Sequence, residues 1–164
     1  MWMDVVMRES VKCFSRGSNR PFCGGTLLSP DTVLTAAHCQ PARPSVDKFE
    51  VVVGEHDVTK ADGEQRVTPS QWISHPAFNY IAHTPDIDFA IVKLAQNVSF
   101  SSRVKPACLP RVASSYTSKD ATVSGWGTLN AGGNQPNTLQ KVNFLFVIMN
   151  KTILRISGDR EYVE

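Results

Sequence analysis

One histidine of this sequence lies where an imidazole could act as a base. His38 follows the apolar, strand-like stretch Thr32–Leu34 and two alanines, and Cys39 comes directly after it. An imidazole can accept and return a proton near neutral pH, so it could activate a hydroxyl nucleophile if a carboxylate held it in place. A single histidine beside a cysteine is more often structural, so the rest of the sequence must supply the acid and the nucleophile.

The elements available to position such a group are β-strands. Short apolar runs rich in Val, Ile, Leu and Phe recur, clusters of Pro, Gly, Asn, Asp and Ser separate them, and no segment has a long helical period. This pattern predicts an all-β barrel or sandwich. Residues 109–120 lack any periodicity, which predicts a connector.

Size and composition are those of a globular protein. The chain has 164 residues, of which 41% are hydrophobic and 20% charged, and its net charge is +2. This balance excludes a disordered chain and gives no indication of nucleic acid as a partner. The longest apolar run, Phe144–Met149, is too short to span a bilayer. Charged residues interrupt residues 1–10, so we do not expect a signal peptide there.

Five stretches, in the right order, resemble the chymotrypsin-like serine proteases. FCGGTLLSPDTVLTAAHC (Phe22–Cys39) resembles the segment that carries their catalytic histidine, and DIDFAIVKL (Asp86–Leu94) resembles the segment with their catalytic aspartate. VKPACLP, TVSGWGTL and LQKVN match three further blocks, at Val104–Pro110, Thr122–Leu129 and Leu139–Asn143.

The resemblance implies a chymotrypsin-like antiparallel β-barrel fold. Residues 1–108 would form the N-terminal barrel, which is largely present, and residues 109–120 the connector between barrels. Residues 121–164 would begin an incomplete second barrel with a divergent tail.

A catalytic triad is the main functional implication of the resemblance. His38 would be the general base, and Asp88, 50 positions further on, the acid that orients it. Asp86 alternates with Asp88 and would share its strand face, but it follows Pro85 as a turn residue, and the family block begins at Asp88. A disulfide between Cys23 and Cys39 would fix the loop that carries the histidine.

The third member of the triad is not found. The family nucleophile lies in a Gly-Asp-Ser-Gly-Gly block, which these 164 residues do not contain. Ser157 precedes a Gly-Asp pair in the wrong order, and we reject it. The activation segment is also missing, because its superficial match at Val51–Glu55 is typical of a barrel strand. We therefore expect a serine endopeptidase family member truncated at both ends and inactive as this chain. The alternative is a non-catalytic homologue that acts by binding or regulation.

A structural calcium ion is the one cofactor that the resemblance suggests; the chemistry requires none. Gly54–Gln65 resembles the calcium loop of trypsins, and Glu55 and Glu64 match its two glutamates. An acidic surface hairpin is the alternative. His56, His75 and His83 have no recognisable metal-ligand spacing, so we do not expect a His/Cys metal site.

Two cysteines remain without an assigned bond. The family counterpart of Cys108 often bonds a propeptide cysteine, so here its partner would be Cys13 or none.

The resemblance also implies an extracellular protein. Sequons at Asn97 and Asn150 support secretion weakly. Expected partners are protein or peptide substrates and protease inhibitors, with no nucleic acid and no membrane span.

Overall fold

The fold is built almost entirely from β-strands. The computed structural model of the chain describes residues 10–16, 18, 21–40, 46–81, 87–109, 119–149, 152–155 and 160–162. Over these ranges there is no α-helix, and 3₁₀ turns span Ala37–Cys39 and Val46–Lys48. The prediction of an all-β protein is confirmed. No helix in the described part of the chain has the length and apolar character needed to cross a membrane.

Seven strands form one curled antiparallel sheet. In chain order they are β1 (Ser10–Ser15), β2 (Pro21–Ser29), β3 (Thr32–Thr35), β4 (Phe49–Val53), β5 (Gln65–Val67), β6 (Pro69–Ser74) and β7 (Ala90–Leu94). Their order across the sheet is β5-β4-β1-β2-β3-β7-β6. Strands β3 and β7 are therefore neighbours, although β4, β5 and β6 lie between them in sequence.

Alternating burial explains why these segments form strands. In β7, Ala90, Val92 and Leu94 are buried, whereas the residues between them are only partly buried. Val33 of β3 is also buried and lies directly opposite Val92. One apolar face of the sheet therefore encloses a core, as period-two patterning requires. The core members are Val11, Cys13, Leu27, Val33, Phe49, Val51, Val53, Val92, Leu94, Val98 and Val104.

A second antiparallel sheet contains the later strands. They are β8 (Lys119–Gly125), β9 (Gln140–Met149), β10 (Thr152–Arg155) and β11 (Arg160–Tyr162). The long strand β9 pairs with each of the other three. The apolar run Phe144–Met149 lies within β9, where its backbone pairs with β8 and β10.

Contacts divide the chain into two units. The first comprises the described residues of Arg8–Glu55 and Ala61–Cys108 and contains the seven-stranded sheet. The second comprises His56–Lys60 and the described residues from Leu109 onward. Within the second unit, Asp57 forms a β-bridge with Thr138. His38 and Asp88 both belong to the first unit.

Candidate active site

His38 is presented by a 3₁₀ turn that continues directly from β3. Ala36 is still extended, and the N–H groups of Cys39 and Gln40 donate to the carbonyls of Ala36 and Ala37 at 3.2 and 3.0 Å. Ala37 is fully buried, and its small side chain lets the turn lie against the sheet. The His38 side chain is 57% exposed, so it is held through its backbone and its hydrogen bonds more than by packing.

Asp88 lies two residues before β7. Its neighbour Phe89 donates its N–H to the Ile87 carbonyl at 3.0 Å and accepts a bond from the N–H of His75 at 3.0 Å. The rings of His75 and Phe89 also meet edge to face, with centroids 4.6 Å apart. These contacts fix the backbone on the C-terminal side of the carboxylate.

The two side chains form a paired unit. His38 Nδ1 lies 2.5 Å from Asp88 Oδ2, and the His38 backbone N–H donates to Oδ1 at 2.8 Å. Each carboxylate oxygen therefore accepts one bond from the same residue. Because an ionised carboxylate can only accept, we assign the imidazole proton to Nδ1, which leaves the lone pair on Nε2.

The electrostatics of the pair favour the charged carboxylate. The hydrogen bond from the His38 side chain is the main cause that lowers the pKa of Asp88, and the bond from the His38 backbone N–H adds to it. Asp88 is therefore ionised near neutral pH and is available to stabilise a protonated imidazole.

A disulfide joins Cys23 of β2 to Cys39, the residue after the histidine, with their Cα atoms 6.1 Å apart. Among the described residues, Cys23, His38 and Cys39 are the one group of three whose ligand atoms cluster within 4.8 Å. Metals bind the thiolate form of cysteine, and both sulfurs are already bonded to each other. The cluster is therefore a disulfide beside a histidine and not a metal centre.

Two other histidines have structural contacts. His75 accepts a bond from the Ala77 N–H at Nδ1 (3.2 Å). The carbonyl of His56 accepts bonds from the Leu139 N–H at 2.9 Å and from Trp126 Nε1 at 3.2 Å. His83, Asp86, Asn150 and Ser157 lie outside the described residues.

Cationic side chains from outside the proposed calcium loop lie near two of its carboxylates. Glu55 is buried. Glu64 accepts a bond from the Asp62 N–H at 3.0 Å, and its other oxygen lies 3.6 Å from Arg66. Asp62 in turn lies 3.3 Å from Arg103. Arg66 therefore partly neutralises Glu64, one of the two predicted ligands. Calcium at Glu55 and Glu64 stays a prediction.

Both remaining cysteines are free thiols, so the Cys13–Cys108 bond is not formed. Cys13 is buried in the core, and burial raises the pKa of its thiol to about 12. Cys108 is exposed.

Three polar residues near the histidine are not indicated by the sequence. Gln40, Ser74 and Tyr80 form a hydrogen-bonded group next to the 3₁₀ turn. No sequence signal marks them, because polar residues in loops and at strand ends are common and their spacing of 34 and 6 positions matches no motif.

Comparison with known proteins agrees with the geometry. A curled antiparallel sheet that joins a histidine to an aspartate through β3 and β7 is typical of the chymotrypsin-like class. The sequence profile of the trypsin family matches residues 7–158, and the chain belongs to that family. The expected family and fold class are thereby confirmed.

Individual relatives show the same relationship. Ovochymase-2 of Mus musculus is 40% identical over 124 residues, which are 74% of this chain and 20% of that protein. Serine proteinase stubble of Drosophila melanogaster is 30% identical over 167 residues, 99% of this chain and 20% of that protein. Cationic trypsin-3 of Rattus norvegicus is 40% identical over 121 residues, 73% of this chain and 46% of that protein. The chain spans less than half the length of each.

Proposed function

We propose that this chain supplies the base and the acid of a serine endopeptidase active site. The observation that carries the proposal is the two-point contact of Asp88 with His38, at 2.5 and 2.8 Å, in a member of the trypsin family. A carboxylate that accepts hydrogen bonds from both the ring and the backbone of one histidine fixes the tautomer and the orientation of the imidazole together.

The proposed chemistry follows from that tautomer. With the proton on Nδ1, the unprotonated Nε2 can take the proton of a serine hydroxyl as it attacks a peptide carbonyl. The resulting imidazolium is stabilised by the ionised Asp88 and then returns the proton to the leaving amine. This general chemistry is that of the best-known triad of the same family.

The nucleophile would come from a Gly-Asp-Ser-Gly-Gly segment, which the 164 residues do not contain. The proposal therefore concerns a protein in which such a segment accompanies His38 and Asp88. For the 164-residue chain by itself we expect neither peptide cleavage nor labelling by a fluorophosphonate.

A chimaera tests the proposal directly. The matched region of rat cationic trypsin-3 would be replaced by the corresponding residues of this chain up to Asn143, so that the flanking parts of trypsin-3 supply both the activation segment and the Gly-Asp-Ser-Gly-Gly segment. We expect the folded chimaera to cleave peptide substrates and to react with a fluorophosphonate. Asp88→Asn should lower kcat by about 10⁴-fold, because the imidazole would lose its required tautomer. Asp120→Asn, at an exposed position on β8, is the matched control and should have little effect.

Failure of the chimaera has a defined meaning. A chimaera that folds with its disulfide intact but neither cleaves nor labels would refute the catalytic proposal. If it nevertheless bound a protease inhibitor, a binding homologue would be the better description of this chain.

An extracellular location and protein or peptide partners are part of the proposal. The Cys23–Cys39 disulfide supports it, because such bonds persist mainly in oxidising compartments. Asn97 is exposed after β7 and would be open to glycosylation. Expression through a secretory pathway should give a product whose mass falls on treatment with an N-glycosidase. The double variant Asn97→Gln/Asn150→Gln should show no such decrease in mass. Retention of reduced, unglycosylated chain inside the cell would contradict the location.

A further inference from the structure

A chain of hydrogen bonds starts at β6 and ends at the residue that follows Cys39. Trp72 Nε1 donates to Ser74 Oγ at 3.0 Å, and Ser74 Oγ lies 2.8 Å from the Tyr80 hydroxyl. The Tyr80 hydroxyl donates to Gln40 Oε1. Ser74 Oγ is also 3.4 Å from Gln40 Oε1, which is the longest of its three contacts.

The direction of these bonds is determined by their donors. An indole N–H can only donate, and an amide oxygen can only accept. The Tyr80 hydroxyl has one proton and donates it to Gln40 Oε1. Ser74 Oγ is therefore the donor in its hydrogen bond with the Tyr80 oxygen. The series runs from Trp72 through Ser74 and Tyr80 to Gln40, with every hydroxyl both donating and accepting.

The sheet register connects this series to the active-site pair. Ala90, two residues after Asp88, lies opposite Thr35 on β3 and opposite Ser74 on β6. His38 lies between Thr35 and Gln40. The β3–β7 pairing therefore anchors the chain before His38, and Ser74 and Tyr80 anchor the chain after it.

His38 needs anchors of this kind. Its side chain is 57% exposed, so surrounding packing alone does not fix it. Its contact with Asp88 uses both the ring and the backbone N–H, so a shift of the 3₁₀ turn would disturb both bonds together. Tyr80 is itself 44% exposed, so its hydroxyl has little to do with burial of the core.

We propose that Gln40, Ser74 and Tyr80 are positioning residues that hold the His38 turn against Asp88. The inference rests on the proposed role of the His38–Asp88 pair and adds the groups that keep this pair aligned. The residues act through the backbone of the turn and do not touch a substrate.

The test measures the tautomer of His38 by long-range ¹H–¹⁵N correlation on uniformly labelled chain at about pH 9, where an ordinary imidazole is neutral. We expect the Nδ1–H form to dominate in the native chain. Tyr80→Phe removes one hydroxyl and leaves the ring that packs edge to face on Phe78. It should lower the ratio of Nδ1–H to Nε2–H tautomer of His38 several-fold, with the melting temperature and disulfide content unchanged.

Further variants separate positioning from general stability. Gln40→Leu removes the acceptor and should reproduce the effect, whereas Gln40→Glu restores an acceptor oxygen and should restore the native ratio. Ser74→Ala is a second, smaller disruption that should act in the same direction. Tyr162→Phe, on β11 of the other unit, makes the same chemical change elsewhere and should leave His38 unaffected.

His75 provides an internal reference. Its Nδ1 accepts a bond from Ala77, so its native tautomer carries the proton on Nε2. The positioning proposal is overturned if the tautomer ratio of His38 is unchanged in Tyr80→Phe and Gln40→Leu, whether or not the ratio of His75 changes. The hydrogen-bonded group would then stabilise only its own loop. If the His38 ratio is already insensitive to Asp88→Asn, the proposed function fails instead.

Discussion

Thr35 and Ala90 are direct partners in the pairing of β3 with β7, and their register sets the geometry of the candidate pair His38 and Asp88. His38 follows Thr35 by three residues, and Asp88 precedes Ala90 by two. Because the strands are antiparallel, the C-terminal end of β3 lies beside the N-terminal end of β7. The segments that carry His38 and Asp88 therefore leave the sheet at the same end of this strand pair. A slip of one residue would turn the core face of either strand outward, so burial of Val33 and Val92 also fixes where His38 meets Asp88.

Gly25 should be intolerant of a side chain because β3 passes close to it. Gly25 lies opposite Thr35, and a Cβ atom there would be 2.8 Å from Val33 Cγ1 and 2.9 Å from the Leu34 carbonyl oxygen. One of these is a backbone atom that cannot move without disturbing the register. Gly25→Ala should therefore lower the free energy of unfolding by about 1–3 kcal/mol, as overpacking does, measured by urea denaturation.

The adjacent glycine is the control for this prediction. A Cβ at Gly24 would have Val11 O as its nearest neighbour, at an ordinary distance of 3.7 Å. Gly24→Ala should be neutral or slightly stabilising, because alanine reduces the freedom of the unfolded chain. Equal losses at both positions would show that the close approach of β3 is not the cause.

Loss of the Cys23–Cys39 disulfide should destabilise the first unit substantially. The bond closes a loop of 16 positions, and cross-links of that size typically contribute about 3 kcal/mol. The double variant Cys23→Ala/Cys39→Ala should show a loss of this order in chemical denaturation. Cys108→Ala, which removes an exposed free thiol, should unfold as the native chain does. A double variant as stable as that control would mean that the sheet alone holds the loop.

The all-β fold could be predicted because strand patterning is local. Alternation of apolar residues, as in β7, is visible in a few consecutive letters. The candidate pair was found only because motifs around His38 and Asp88 resemble a known family. Composition and periodicity alone do not show that residues 50 positions apart meet.

The positioning group could not be predicted, for a physical reason. Hydroxyl and amide groups such as those of Tyr80 and Gln40 can form their hydrogen bonds equally well with water. Their residue types therefore do not indicate a partner in the protein. Their partnership depends on the register of β6 with β7 and on the path of the loop that follows, and no short sequence pattern determines that path. The same applies to the ion pair between Asp31 and Lys93, which are 62 positions apart.

The two free thiols should differ sharply in reactivity. Cys13 has no exposed surface, and burial raises its pKa to about 12, so almost no thiolate forms near neutral pH. Cys108 is exposed. Iodoacetamide should alkylate Cys108 in the native chain and reach Cys13 only after denaturation, as followed by peptide mass spectrometry. Rapid native modification of Cys13 would indicate that β1 opens readily.

Asp31 should make the fold sensitive to acid. This residue of the β2–β3 turn accepts bonds from Lys93 Nζ at 2.7 Å, Ser29 Oγ at 2.7 Å and Thr32 Oγ1 at 2.8 Å. The bond from Lys93 is the largest cause that lowers the pKa of Asp31 below its ordinary value of 3.8. A carboxyl whose pKa is lower in the folded state stabilises the fold fully above its ordinary pKa. That contribution is lost as the pH falls through the lower folded value.

The comparison of native chain with Asp31→Asn isolates this effect from that of other carboxylates. The native chain should be the more stable at neutral pH, because asparagine cannot pair with the Lys93 charge. The difference in unfolding free energy should stay constant down to about pH 5 and narrow as the pH falls below the ordinary carboxyl range, as measured by urea titrations across that range. Asp120→Asn, at an exposed position on β8, makes the same substitution away from the Asp31–Lys93 ion pair and is the control. A difference between native and Asp31→Asn chains that persists unchanged in strong acid would mean that the Asp31 charge does not couple β7 to the β2–β3 turn.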